Sequence, residues 1–409
     1  MRWQVLARVR GAYRAAFAGL PREVWILAAA SLVNRSGSMV LPFLTLYLTQ
    51  RLGFSLAQAG GTLSLYGAGA VAGAAVGGWL ADRVGAVRVQ VLSLLGTGAG
   101  FLVLGAVRHR VGVWVAVAAL SVVAEAFRPA SFSAVAAASP PEVRTRALAL
   151  LRLAANLGMS VGPAVGGMLA VRHYGLLFVV DAATCWMAAG VLVVASWRGR
   201  APAAAETGPM KAPPPWRDGP FLQLLALVFL LATVFYQTLA TLPLYLRAHF
   251  AFAEDRIGLV FSVNTMLIVL FEMVLLRRIE HREPFRVAAL GSLLVCAGFA
   301  LMPLLAAPLW APATVVVWTV GEMLSLPVTN ALAASRVGGP GRGRYLGAYL
   351  LAFSLAFVAG PAVGTAVYER YGPPALWLGV GGVGIGLAGG FLLMAARYGG
   401  RWTRLTSAP

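Results

Sequence analysis

Gly162-Pro163-Ala164-Val165-Gly166 recurs letter for letter as Gly360-Pro361-Ala362-Val363-Gly364, 198 residues further along a chain of 409. The same offset lays Leu46-Tyr47-Leu48 on Leu244-Tyr245-Leu246, Phe54 on Phe252, Gly60 on Gly258, Pro129 on Pro327 and Arg146 on Arg344. A single register held without gaps over such tracts marks an internal duplication. The one long polar, proline-rich stretch, from Arg198 to Pro220, falls between the copies, and its composition resists both helix and burial. The expected organisation is a first half over 1–197, a linker over 198–219 and a second half with a short tail over 220–409.

Each copy is written for lipid. Hydrophobic residues make up 59% of the chain and charged ones 11%, against about 25% charged in an ordinary soluble protein. Crossing a hydrocarbon core takes about 20 mainly apolar residues in a helix, because every backbone donor and acceptor must be paired internally there. Such stretches lie at 24–49, 58–80, 88–107, 111–138, 147–171, 176–197, 220–246, 257–276, 286–306, 311–335, 345–368 and 374–396. The expected fold is therefore all-α and polytopic, with twelve transmembrane helices in two pseudo-symmetric six-helix bundles.

A net charge of +19 raises the question of a polyanionic partner. Placement answers it. Of the 33 basic residues, only Arg51, Arg108, Arg110, Arg172, Arg247, Arg256 and Arg370 fall in one set of alternate loops, and Arg35, Arg128 and Arg152 fall inside spans. The others crowd the opposite loops and both termini, including Arg2, Arg8, Arg10, Arg14 and Arg22 ahead of the first span. This is the positive-inside asymmetry. It predicts an inner-membrane protein with cytoplasmic termini and no nucleic-acid partner. The first span continues to full length, so it reads as a retained helix and not as a cleaved signal. Cys185 and Cys296 sit mid-span in opposite halves and suggest neither a disulfide nor a metal site.

Two similar six-helix bodies joined by a linker are suited to rocking about a site between them. Three local patterns bear on that motion. Between the second and third spans runs Gly77-Gly78-Trp79-Leu80-Ala81-Asp82-Arg83-Val84-Gly85-Ala86-Val87-Arg88. Its glycines allow a tight turn, and Asp82 is suited to face a helix N-terminus or a cation across the half interface. On its own the stretch reads equally as a charged turn. In the fifth span, Gly158-x-x-x-Gly162-Pro163-x-x-Gly166-Gly167 offers a small-residue face for close helix approach and a proline for a bend. Finally, Glu125, Asp181, Glu272 and Glu322 are the acids well inside spans. A charge at mid-membrane costs about 2.5–3.5 kcal/mol on insertion scales, so each needs a cation, a proton or water.

Glu322, beside Gly321 and shortly before Pro327, is the first candidate for proton or substrate coupling. Glu272 lies eight residues after Asn264 and near Arg277 and Arg278, so a structural ion pair competes with a functional role. Glu125 stands one turn before Arg128, and mutual neutralisation competes with a relay or substrate contact. Arg35 has no acid nearby in sequence and needs a partner from another helix or from the substrate. Asp181, near the start of its span, reads first as an anion at a helix N-terminus. Arg152 can snorkel toward the membrane surface. Tyr47, Phe127, Tyr236, Tyr245, Phe261, Met266 and Phe353 are candidates for an adaptable cavity lining or for plain packing.

The G-x-L-A-D-R-x-G stretch with Arg88 after it resembles the signature loop of the major facilitator superfamily, with Ala86 and Val87 where that family often has basic residues. The resemblance implies a gating loop, Gly78, Asp82, Arg83, Gly85 and Arg88, whose aspartate stabilises the outward-open state. The fifth-span motif, Gly158, Gly162, Pro163, Gly166 and Gly167, is similar to that of the drug:proton antiporter branches. There it is taken to seal the half interface against leakage. The segments from Asn34-Arg35 through Pro42 and from Glu125 through Pro129 to Asn156 look like the first drug:proton antiporter subfamily, which implies a functional helix-1 arginine.

The expected activity is proton-coupled antiport exporting amphipathic or lipophilic small molecules. A proton symporter or facilitator for a small polar solute is the alternative. A membrane receptor or scaffold is the reading outside transport. No enzyme chemistry is expected, since there is no Walker loop and no metal-spaced histidine cluster. No cofactor is expected beyond the proton gradient, and the partners are substrate, protons and lipid around a monomer.

Overall fold

The computed structural model describes residues 17–195, 213–337 and 341–402, apart from the side chains of Pro141 and Arg342. The arginines before residue 17, linker residues 198–212 and the tail beyond 402 lie outside the described residues. Among the described residues, twelve helices are long and apolar enough to cross a membrane. They are α1 Arg22–Arg51, α2 Leu56–Val84, α3 Ala86–Ala106, α4 Arg110–Ala138, α5 Glu142–Arg172, α6 Gly175–Val194, α7 Gly219–Ala240, α8 Glu254–Ile279, α9 Pro284–Leu304, α10 Trp310–Ser335, α11 Gly343–Tyr371 and α12 Pro373–Tyr398. No strand occurs among the described residues.

The duplication is written into the backbone. After α1 the chain turns through Gly53 at φ 66°, and one repeat later through Ala251 at φ 52°. In each turn the next phenylalanine N–H reaches back to the same carbonyl, Phe54 to Leu48 at 3.0 Å and Phe252 to Leu246 at 3.2 Å. Arg146 donates to the Ala18 carbonyl just ahead of α1. Its repeat, Arg344, lies 5.7 Å over the ring of Trp216 just ahead of α7. Residues 18 and 216 are themselves one repeat apart.

Helix breaks fall where chemistry requires them. Pro129 cannot donate to the carbonyl of Glu125, and α4 divides into Arg110–Glu125 and Phe127–Ala138. The first span is interrupted between Ser36 and Val40. There the buried Asp181 carboxylate accepts from Met39 N at 3.1 Å and from Val40 N at 3.0 Å. The anion expected at a helix N-terminus is thus found, on α6, but it caps the second segment of α1.

The repeated glycine motif sets how closely the helices approach. Gly162 and Gly166 leave room only for α1, at Ser36 and Met39, and Gly360 and Gly364 leave room only for α7, at Thr233 and Gln237. The proline carbonyls face across the halves, Pro163 against Gly258 of α8 and Pro361 against Gly60 of α2, with no space for a Cβ at either glycine. The halves therefore meet along two equivalent seams, α5 with α8 and α11 with α2.

Burial differs between the two ends of the bundle. At the end bearing Gly53 and Ala251, one hydrophobic core joins Phe43, Leu63 and Phe178 of the first half to Tyr245, Phe261 and Trp377 of the second. Polar clasps cross it: Tyr174 Oη donates to Glu254 Oε1 at 2.8 Å, and Ala57 N donates to Glu369 Oε2 at 3.0 Å. Burial, with the Glu254 charge adding to it, pushes the Tyr174 phenol far above its usual range, so it stays a donor. At the arginine-rich end each half keeps its own core, around Phe127 and Leu150 in one and around Phe285 and Tyr345 in the other. The chain is closed at one end and divided by a cleft at the other.

Candidate functional site: acids and arginines around the cleft

Each half sets a carboxylate against a neutral donor on the neighbouring helix. In the second half, Asn264 Nδ2 of α8 donates to Glu322 Oε2 of α10 at 2.9 Å and to Thr319 Oγ1 at 3.0 Å. In the first, Tyr66 Oη of α2 donates to Glu125 Oε1 of α4 at 3.2 Å. Tyr66 and Asn264 are one repeat apart, while Glu125 and Glu322 are out of register by one residue. Glu322 and Glu125 are both partly exposed.

The cations divide the halves more sharply than the acids do. Arg35 and Arg128 belong to the first half, Arg128 exposed and Arg35 partly so, and neither has an ion pair within 4.0 Å among the described residues. Their charges act around two tyrosines, Arg35 and Glu125 at Tyr66, and Arg128 and Glu125 at Tyr236 of α7. Mutual neutralisation of Glu125 and Arg128 is not what the geometry gives, because Glu125 is turned to Tyr66. Glu322 has no cation within 4.0 Å among the described residues. Beyond the more distant charge of Arg152, it must be compensated by water or a bound molecule when ionised, or else take up a proton.

An aromatic bridge closes the cleft between these sites. Tyr236 stacks on Phe357 of α11 with centroids 4.3 Å apart and planes 3° apart, and Tyr66 lies 5.7 Å from the same ring. Glu272 departs from expectation. It is buried on α8, and it accepts not from Arg277 or Arg278 but from Arg152 Nη2 on α5 at 2.6 Å. Arg152 accordingly reaches across the seam and does not snorkel away from it.

The description Major Facilitator Superfamily matches residues 24–361. The chain belongs to the major facilitator superfamily. Two relatives in Bacillus subtilis (strain 168) are each described as an uncharacterized MFS-type transporter. YttB is 26% identical over 370 residues, 88% of this chain and 91% of that protein. YqjV is 24% identical over 362 residues, 85% of this chain and 87% of that protein. Among solved structures, the peptide transporter POT in complex with sulfate superposes with a TM-score of 0.81 at 17% identity, covering 96% of this chain and 97% of that one. The nucleoside transporter NupG superposes with a TM-score of 0.78 at 15% identity, covering 91% of this chain and all of that one. The protein is thus a multi-pass membrane transporter of small molecules, with the major facilitator fold and no enzymatic role.

Within that superfamily fold, the signature loop lies at the open end. Gly85 takes φ 96° between α2 and α3, Arg83 lies 4.1 Å over the Trp79 ring, and Asp82 is exposed with no ion pair among the described residues. Arg88 is exposed, and a Cβ at Gly78 would just reach Pro129. In α5, Gly158 and Gly162 pack on α1, Gly166 on Met39, and Gly167 on the Glu254 backbone.

The proposed lining divides. Tyr47, Phe127, Tyr245 and Phe261 are buried in hydrophobic cores. Tyr47 also accepts from Arg108 Nη1 at 2.5 Å, far from the cleft acids in sequence and at the closed end. Met266 shares an exposed stripe with Leu259, Val263, Leu270 and Met273, at helical spacing, which is the pattern of a lipid face. Tyr236 and Phe353 are partly exposed, and Tyr236 alone joins the aromatic bridge. Sequence reasoning missed Tyr66, Thr319 and Phe357. The repeat offset itself was a usable signal, since it superposes Tyr66 on Asn264.

Proposed function

We propose that this transporter is a proton-driven antiporter that exports amphipathic or lipophilic small molecules by alternating access. The observation that carries the reading is Glu322. It is a partly exposed carboxyl within the α10 span, held by Asn264 beside Thr319 and with no cation within 4.0 Å among the described residues. Such a group can trade a proton for a substrate as access alternates. The glycine motif of α5 supports the same reading, because its glycines let α5 pack tightly on α1 and on the start of α8. Positive-inside charge assigns the arginine-rich end to the cytoplasm, with both termini there, so the cleft faces inward. The site is complete within one chain, in keeping with a monomer in the cytoplasmic membrane. Asp82, exposed at the parted ends, is the latch that engages when those ends meet. Asp181 serves by fixing the break in α1.

Inside-out vesicles with an acidic lumen provide the test. An amphipathic dye that accumulates in them, and leaves when a protonophore collapses the gradient, is the expected result. A second reading is suggested by the peptide and nucleoside transporters that share the fold: symport of a polar solute. Accumulation of such a solute only in right-side-out vesicles with an acidic exterior supports that reading and overturns export.

A further inference from the structure

The two equivalent seams permit a comparison within one chain. Toward the closed end they match, with Gly258 on Pro163 in one and Gly60 on Pro361 in the other. Closer to the cleft they do not. On the α5 and α8 seam, Arg152 Nη2 meets Glu272 Oε1 at 2.6 Å. On the α11 and α2 seam the corresponding positions are Leu350 and Ala74. Helix packing alone does not demand the ion pair, since an equivalent seam closes without one.

Its surroundings say what it does. The Glu272 side chain is 10% exposed and that of Arg152 is 58% exposed, so the carboxylate is the desolvated partner and the guanidinium still meets solvent. Glu272 and Arg152 both act electrostatically on Glu322 of α10, and Arg152 also acts on Tyr349 of α11. Among the described residues, Arg152 of α5 and Glu322 of α10 are thus the charged or titratable groups from neighbouring helices coupled to Glu272. Arg277 and Arg278 on its own helix are exposed and unpaired with it. Two carboxyls sharing one poorly solvated region titrate as a coupled pair unless a fixed cation commits one of them to the charged form.

We propose that Arg152, carried by the first half, is a positioning residue for the proton site of the second: by holding Glu272 as a paired carboxylate it leaves Glu322 as the single acid that exchanges a proton. The inference deepens the antiport reading and rests on it for its meaning in transport. The pair spans the halves, so the assignment of the exchanging acid is tied to their relative position. When the seam shifts, Arg152 moves with one half and both acids move with the other.

Labelling with dicyclohexylcarbodiimide tests this without any substrate. The reagent adds the O–H of a protonated carboxyl across one C=N bond; the carboxyl oxygen bonds to the central carbon and the proton goes to nitrogen, and the adduct rearranges to a stable N-acylurea. In reconstituted wild-type protein at neutral pH, peptide mass spectrometry should find the label on Glu322 and not on Glu272. Arg152→Ala should raise labelling of Glu272 about tenfold, the change in protonated fraction made by one pK unit, and Arg152→Lys should restore the wild-type pattern. Glu272→Gln, which removes the second acid, should keep Glu322 as the labelled carboxyl. It also carries the test if Arg152→Ala does not fold. Equal labelling of both acids in wild type, an unlabelled Glu272 in folded Arg152→Ala, or loss of the Glu322 label in Glu272→Gln overturns the proposal. Absence of proton-driven flux, with the labelling as expected, overturns the antiport reading and leaves the charge assignment standing.

Discussion

Glu322→Gln abolishes accumulation driven by a pH gradient and leaves the protein folded. Glutamine keeps the volume of the side chain and can still accept the Asn264 amide hydrogen bond, which is 2.9 Å long. What it cannot do is release a proton. One-for-one exchange across a gradient of one pH unit supports about tenfold accumulation, since each unit is worth about 1.4 kcal/mol. In the variant the ratio falls to about one, although facilitated equilibration can persist. Uptake of a fluorescent amphiphile into acid-loaded inside-out vesicles reads this directly. Retained accumulation in Glu322→Gln would remove the residue from the mechanism.

A second large effect is expected far from the cleft, at the arginine-rich end of the second half. Asp218 caps α7 by accepting from Phe221 N at 3.2 Å, and it takes two bonds of 2.8 Å from Arg336. Arg336 lies 4.4 Å over the Trp402 ring and donates to the Trp402 carbonyl, while Tyr345 Oη donates to Asp218 at 3.2 Å. The pair is 7% and 3% exposed at its side chains, so a lone survivor stays desolvated. Removing one member of such a buried pair costs about 3–5 kcal/mol. Asp218→Asn and Arg336→Met are therefore each expected to lower the unfolding temperature sharply in detergent, because each leaves the other charge buried without its partner.

The acid limb of stability carries the same signature. Burial opposes the Asp218 charge, but the Arg336 bonds and charge outweigh it and hold the carboxyl below its usual range. A depressed carboxyl contributes stability that is whole above about pH 4, its unfolded value, and is lost as pH falls through the lower folded value. Asp218→Asn should flatten that part of the profile.

The sequence disclosed the twelve spans and the duplication because both rest on long-range regularities, hydropathy and a single offset. It also singled out Glu322 and Glu272 as acids that need partners, since charge in lipid is costly wherever it occurs. The partners themselves were less legible. Glu272 had Arg277 and Arg278 within two turns, yet its bond comes from Arg152, 120 residues away, because α5 and α8 are brought together by glycines and not by charge. Asp181 looked like an anion for its own helix, but the unpaired backbone donors were at the break of α1, 142 residues earlier. Tyr47, Tyr245 and Phe261 had the chemistry of a cavity lining and the location of a core. Periodicity gives the face of a helix, while only the assembled bundle says what that face meets.

Alternating access requires the two halves to pivot about the cleft between Glu322 and the first-half arginines. Thr145 and Gly343 are exposed repeat-related positions at the arginine-rich end, Gln50 and Ala248 are exposed repeat-related positions at the closed end, and both native cysteines are buried. Spin labels on Thr145→Cys with Gly343→Cys, and separately on Gln50→Cys with Ala248→Cys, give one distance at each end in reconstituted protein. Across a change of pH, the first distance is predicted to shorten as the second lengthens. Two distances that stay fixed, or that move in the same sense, would contradict the account.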